Sequence, residues 1–350
     1  MSFKISCICV IASAFSTGHT QVFAKDISVN SNLASKTSQA DALKEQEKNI
    51  ALAHKNAIYF FQNKNYTESS QWAQRYFKEG GGDIQIRRIL SQSYFFNSDF
   101  VNAARELQAE MLFSERNGRV LEEDRFQLLL KCYAALNDNN AQAWILEKMV
   151  SSYPKKSYWT SLLTLTQRRP DFRKNLSLDV QRLRLVTGAL SEPLDYFEMA
   201  QNALNQGFGF EAKLVLDHGI GHKILSQSLE STVYLQLRSE INRKIEDEKK
   251  MLYKAESELP SSANALSLMN FGLTLVQIGE ADKGLVMMEK AISRVGPTER
   301  PQDARLHLGI AYLKAGKKSK ALDVFNSVSG VHGSADLARL WATYAKNETP

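Results

Sequence analysis

The chain has 350 residues, with 44 lysines and arginines against 38 aspartates and glutamates, a net charge of +6 and 43% hydrophobic residues. A positive balance this small, spread rather than blocked, suits a soluble surface and an acidic partner and argues against a nucleic-acid groove. Of the three cysteines, Cys7 and Cys9 fall near the start, so Cys132 stands alone; no internal disulfide can form there and packing must hold the fold.

At the N-terminus Lys4 precedes an apolar run from Ile5 to Phe15, followed by polar residues and then Val22, Phe23 and Ala24. That is the layout of a secretory signal peptide over residues 1–24, cut before Lys25. The apolar run is about half the ~20 residues a membrane-spanning helix needs. No arginine precedes Arg75, unlike a mitochondrial presequence. Residues 25–38 lack periodicity and read as a flexible leader. Ser38 and Asp41 are spaced as a capping box for a first helix.

From residue 39 the pattern is helical. Ala57, Phe60, Tyr66 and Ser69 recur one 34-residue period later as Ser91, Tyr94, Phe100 and Ala103. The triplet Gly80 to Gly82 reads as a helix stop. A third unit follows with Leu129, Leu130, Tyr133, Leu146 and Met149, closed by Pro154. Residues 157–188 have a break at Pro170 and read as a degenerate helix pair. Residues 194–220 place Ala200, Ala203, Gly207, Ala212 and Leu216 as a further unit. The first block thus spans 39–220. Beyond it, apolar residues at Leu229, Val233, Leu237, Ile241 and Ile245 predict one long, charged connecting helix over 226–258.

The last block, 262–346, holds the densest motif. In LGIAYLKAGKKSKALDVF, Leu308, Gly309, Tyr312, Gly316, Ala321 and Phe325 fall at the spacing L-G-x2-Y-x3-G-x4-A-x3-F. Phe271, Gly272, Leu275, Gly279, Gly284, Met288 and Ala291 repeat it upstream. Small residues at Gly309, Ala321 and Gly284 let two antiparallel helices approach, and Gly316 supplies the positive φ that ends the first of them. This stretch resembles the tetratricopeptide repeat (TPR) family, and the wider pattern resembles exported bacterial TPR proteins of unassigned role. The resemblance implies an all-α, TPR-type helical-hairpin solenoid forming a right-handed superhelix, with about fourteen helices, no sheet and a terminal cap over 335–346.

The same resemblance implies that the first helix of each pair lines a concave groove that binds a peptide or a partner's helix. Carried over residue by residue, the groove offers His54, Ile58, Phe61 and Gln62, then Gln85, Arg88, Gln92, Phe95 and Phe96, then Asp124, Gln127 and Lys131. Rings, amides and cations on one surface suit an extended peptide. Phe95 and Phe96 have an alternative role, packing between repeats. The chain departs from the lysine, asparagine and arginine set with which some TPR domains clamp a C-terminal carboxylate.

No catalytic pattern occurs: H-E-x-x-H, G-x-S-x-G and phosphate loops are missing from the sequence. His218 and His222 are four apart, but Gly219 and Gly221 argue against a rigid helix there, and Asp217 is the only further ligand at hand, fewer than zinc needs. Cys132 reads as a small buried hydrophobe. The expectation is a non-catalytic adaptor or scaffold in the cell envelope, in the periplasm of a Gram-negative bacterium. It needs no cofactor or metal, binds no nucleic acid, has no stable membrane insertion, and takes another envelope protein or peptide as partner. The alternative is a structural or self-associating solenoid spacer.

Overall fold

The computed structural model describes residues 21–227, 230–258, 265–294 and 301–348. The signal peptide expected over 1–24 lies almost wholly outside them. Sixteen α-helices and no strand occur among the described residues, two helices more than the sequence pattern suggested. The chain divides into two compact units, residues 1–110 and 111–350.

The first unit contains α1 (Gln21–Gln62), α2 (Tyr66–Lys78) and α3 (Ile84–Phe96), and most of α4 (Phe100–Arg116). No glycine or proline occurs between Gln21 and Gln62, so nothing interrupts helix propagation. The backbone of the expected flexible leader is therefore helical, and α1 runs straight through the expected capping box at Ser38. Short polar residues start the later helices. Asn65 Oδ1 accepts from the Glu68 amide at 3.3 Å, Asp83 Oδ1 from the Gln85 amide at 2.8 Å, and Asp99 Oδ1 from the Asn102 amide at 3.2 Å. The glycine triplet stops α2 as expected: Gly80 takes φ 101° and the Gly81 amide donates to the Tyr76 carbonyl.

Small residues let these helices touch. Ala53, Ala57, Ala73 and Ala103 are fully buried. Ser69 Oγ donates to the Ala57 carbonyl at 2.9 Å and accepts from Ser93 Oγ at 3.1 Å, which satisfies both hydroxyls inside the core.

The second unit runs through α5 (Glu123–Ala135), α6 (Asn139–Ser152), α7 (Lys156–Arg168), a 3-10 turn at Lys174–Leu176, α8 (Ser177–Val186), α9 (Pro193–Asn205) and α10 (Gly209–Gly221). It continues with α11 (Thr232–Glu258), α12 (Ala265–Gln277), α13 (Ala281–Ile292), α14 (Pro301–Lys314), α15 (Lys318–Ser327) and α16 (Ser334–Asn347). Most consecutive helices pack on each other as hairpins, with α11 and α12 the exception, and α16 packs on α14 and α15 as a cap.

The TPR-type contacts appear where the motif placed them. A methyl group added to Gly272 would lie 2.6 Å from the Gly284 carbonyl oxygen, so α12 and α13 cross backbone to backbone. Gly309 faces the Phe325 ring, Ala321 is fully buried, and Gly316 turns the chain at φ 71°.

Two expectations change in this unit. First, α10 remains helical through Gly219 and Gly221. Gly219 is a crossing point rather than a break, because a side chain there would meet Tyr196 and Leu225 at 2.8 Å. Second, the buried stripe of α11 starts at Tyr234 and passes through Leu237, Ile241 and Ile245, while Val233 is 59% exposed. The C-terminal hairpins fold back within the unit so that α16 touches α6 and α8.

Candidate protein-binding surfaces

In the first unit the α1 and α3 candidates sort into two groups. His54 and Arg88 are engaged internally. His54 Nε2 lies 3.1 Å from Asp83 Oδ2 and its ring is tilted against Tyr76. The Gln85 amide and His54 together hold the Asp83 carboxyl below its usual range. Arg88 Nε donates to Glu110 Oε1 at 3.1 Å, and Glu110 is almost fully buried. Neighbouring Arg87 donates to Glu106 at 2.8 Å while covering the Phe77 ring. Glu106 and Glu110 are one helical turn apart on α4, so the two arginines tie α3 to it.

The rings form the second group. Phe61 meets Tyr66 edge-on at 5.6 Å, Tyr66 stacks on Phe96 at 4.6 Å, Phe96 meets Phe95 at 5.8 Å, and Phe95 meets Phe100 at 5.5 Å. This ladder crosses the two hairpin turns, because Phe61 and Phe96 close α1 and α3 whereas Tyr66 and Phe100 open α2 and α4. Phe96 is 53% exposed, with Phe61 and Phe95 half-buried beside it. Each ring of this aromatic pair packs on its neighbours, and Phe96 also faces water. Gln62 and Gln85 are exposed and Gln92 is half-buried.

In the second unit Gln127 and Lys131 are both exposed on α5. Gln127 Nε2 donates to the Tyr158 hydroxyl of α7 at 2.7 Å. Glu123 gathers Lys155 and the Tyr158 hydroxyl, which together hold its carboxyl below the usual range. This face is polar and links first helices of successive hairpins.

The inner side of the second unit carries a network that sequence reasoning missed. Arg182 of α8 donates to Glu211 of α10 at 2.7 and 2.6 Å, and to Asp179 at 2.7 Å. His307 of α14 lies 3.1 Å from Asp179 Oδ2. Arg182, Asp179 and Glu211 are all nearly inaccessible. Burial alone would raise the Asp179 carboxyl, but His307 and Arg182 outweigh it and bring it to about 2. Glu211 is likewise pushed up by burial and pulled down to about 2 by Arg182, with Lys314 adding to the pull. Nearby, Arg173 pairs with Asp303 and donates to Ser334 Oγ at 2.7 Å, Arg169 pairs with Asp336, and Arg339 reaches Glu147 at 2.7 Å.

Two further buried groups have structural roles. Glu248 of α11 accepts from the Gly209 and Phe210 amides and so caps α10. The Cys132 thiol is fully buried and pushed up to about 11 by that burial, an inert environment. His218 and His222 stack at 4.0 Å. Among the described residues no cluster of three or more potential metal ligands occurs, and no helix is long and apolar enough to cross a membrane.

No protein-family model matches the chain, and no curated protein matches it. Structures that align along most of its length include a tetratricopeptide repeat protein from Parabacteroides merdae, 10% identical, covering 84% of this chain and 98% of the other at a TM-score of 0.29. The TPR2AB domain of yeast Sti1 in complex with pHSP90 aligns at 12% identity, 85% and 99% coverage and a TM-score of 0.27. Yeast Tom70 aligns at 11% identity, 94% and 96% coverage and a TM-score of 0.24. At such scores these likenesses carry no weight beyond what helix order and packing already establish, an all-α fold of TPR-type helical hairpins.

Proposed function

We propose that the chain is a non-catalytic scaffold, exported to the periplasm of a Gram-negative bacterium, that holds a peptide or helix of an envelope protein on the first unit. The observation that carries this reading is the aromatic ladder ending at half-exposed Phe96, with the amides of Gln62, Gln85 and Gln92 on the helices that bear it. Preformed rings bury apolar side chains of a peptide at low entropic cost, and flanking amides orient its backbone. Arg88 acts indirectly, by fixing α3 against α4.

The test pairs the parent protein with a Phe96→Ser, Gln85→Ala variant of equal thermal stability in affinity capture from periplasmic extract, followed by titration of the captured protein. Retained partner on the parent and loss on the variant support the reading. Equal capture by both sinks it. Arg88→Ala is a poor probe, because it removes a donor from the buried Glu110 carboxylate and so disturbs the fold. Export is tested by fractionation and N-terminal sequencing, with Lys25 as the expected first residue.

A second reading, a structural spacer, draws on the second unit, whose inner side is filled by its own C-terminal hairpins through the Arg182 network. Capture of nothing by either protein favours it.

A further inference from the structure

An apolar groove of about 1060 Å³ opens in the second unit between α10, α11 and the α12/α13 hairpin. Phe210, Leu252, Leu268, Leu275 and Met287 form its walls. At its mouth Tyr253 of α11 and Val286 of α13 stand 73% and 65% exposed. Here α11 packs on α9 and α10, and Ile278 and Val286 of the α12/α13 hairpin remain exposed along the groove. Apolar surface of this kind marks an interaction site.

The charges on α13 identify the occupant. Asp282 lies four residues before Val286 and Lys290 four after it; Lys283 lies three before and Glu289 three after. All four are exposed. The pattern is self-complementary on reversal: a second α13, packed antiparallel about a two-fold axis at Val286, sets Asp282 opposite the second copy's Lys290, and Lys283 opposite the second copy's Glu289. Within one chain two of these groups make exposed pairs, Asp282 with Lys317 at 2.7 Å and Lys283 with Glu280 at 3.2 Å, while Glu289 accepts from the hydroxyl of buried Tyr312. Exposed pairs exchange partners with little change in free energy.

We infer that a second copy of the chain covers this groove, forming a two-fold dimer in which α13 meets α13 antiparallel at Val286. The dimer uses a surface separate from the peptide-binding face proposed on the first unit, and either can fail without the other.

Sedimentation velocity of the full chain from about 1 to about 100 µM tests it, a range that brackets ordinary dimer affinities. The parent is expected to show a concentration-dependent dimer. Val286→Asp is expected to give monomer, with its melting curve as the check on folding. Lys290→Asp opposes two acids and is expected to weaken association about tenfold or more. Adding Asp282→Lys to that variant restores opposite signs and is expected to recover the parental affinity. A parent that stays monomeric, a dimer indifferent to Val286→Asp, or a charge swap that recovers nothing overturns the inference.

Discussion

Two seams of the second unit hold helices together by opposite means. Between α12 and α13 there is no room for a side chain at the crossing: Gly272 and Gly284 meet through their backbones, and Met288 and Val276 flank them. Between α8, α10 and α14 the contact is charged, with Arg182 spanning Asp179 and Glu211, and His307 completing the Asp179 side. The first seam gains dispersion contacts and loses no hydration of charge. The second must first desolvate its ions, and their mutual attraction chiefly offsets that penalty. One seam therefore stabilises by its presence, whereas the other mainly penalises removal of a single member.

That contrast can be broken most sharply at Arg182. Arg182→Ala leaves Asp179 and Glu211 buried without their cation and is expected to destabilise by about 3–5 kcal/mol in chemical denaturation. Replacing all three with apolar residues of similar volume, Arg182→Met, Asp179→Leu and Glu211→Leu, is expected to be nearly neutral. A triple variant as unstable as the single one refutes the distinction between the seams.

Acid probes the same seam. The folded-state carboxyls of Asp179 and Glu211 lie at about 2, below their ordinary values. Their stabilisation is complete above the unfolded values near 4 and is lost as pH falls through about 2. The melting temperature should fall steeply over that window in the parent, and less so in the apolar triple variant.

Gly284→Ala tests the other seam. The methyl group gains about 1 kcal/mol of helix propensity but collides with the Gly272 carbonyl and with Val276. Overpacking of this kind typically costs about 1–3 kcal/mol, so a net loss of up to about 2 kcal/mol is expected, with no acid dependence added. A stabilised variant would show that the two backbones are not in contact. The smallest effect belongs to Arg339→Ala. Its pair with Glu147 lies near the surface, and a loss below about 1 kcal/mol is expected from the same denaturation curves.

The first seam was legible and the second was not, for a physical reason. Gly272, Gly284, Gly309 and Ala321 recur at fixed local spacing because each hairpin solves the same close-packing problem with residues near in sequence. Arg182 and Glu211 look like ordinary surface charges within amphipathic helices. Only Asp179, three positions before Arg182, hinted at a pair, and His307 lies far along the chain. The binding candidates divide in the same way. Phe96 and Gln85 are exposed. Arg88 turned to Glu110, and a local signal existed for it in Glu106 and Glu110, one turn apart on the next helix.

The sequence by itself determined the helical class, the hairpin repeat, the glycine turns and the small-residue crossings, since all of these are set by interactions within roughly one repeat length. It also carried the self-complementary charge order of α13. Tertiary structure alone decided that α16 returns to α6 and α8, that α11 leaves a groove beside α12 and α13, and which charges are buried. The return of α16 brings together helices more than a hundred residues apart, and in each of these features burial, which no local pattern shows, decides whether a charge is solvated or must find a partner.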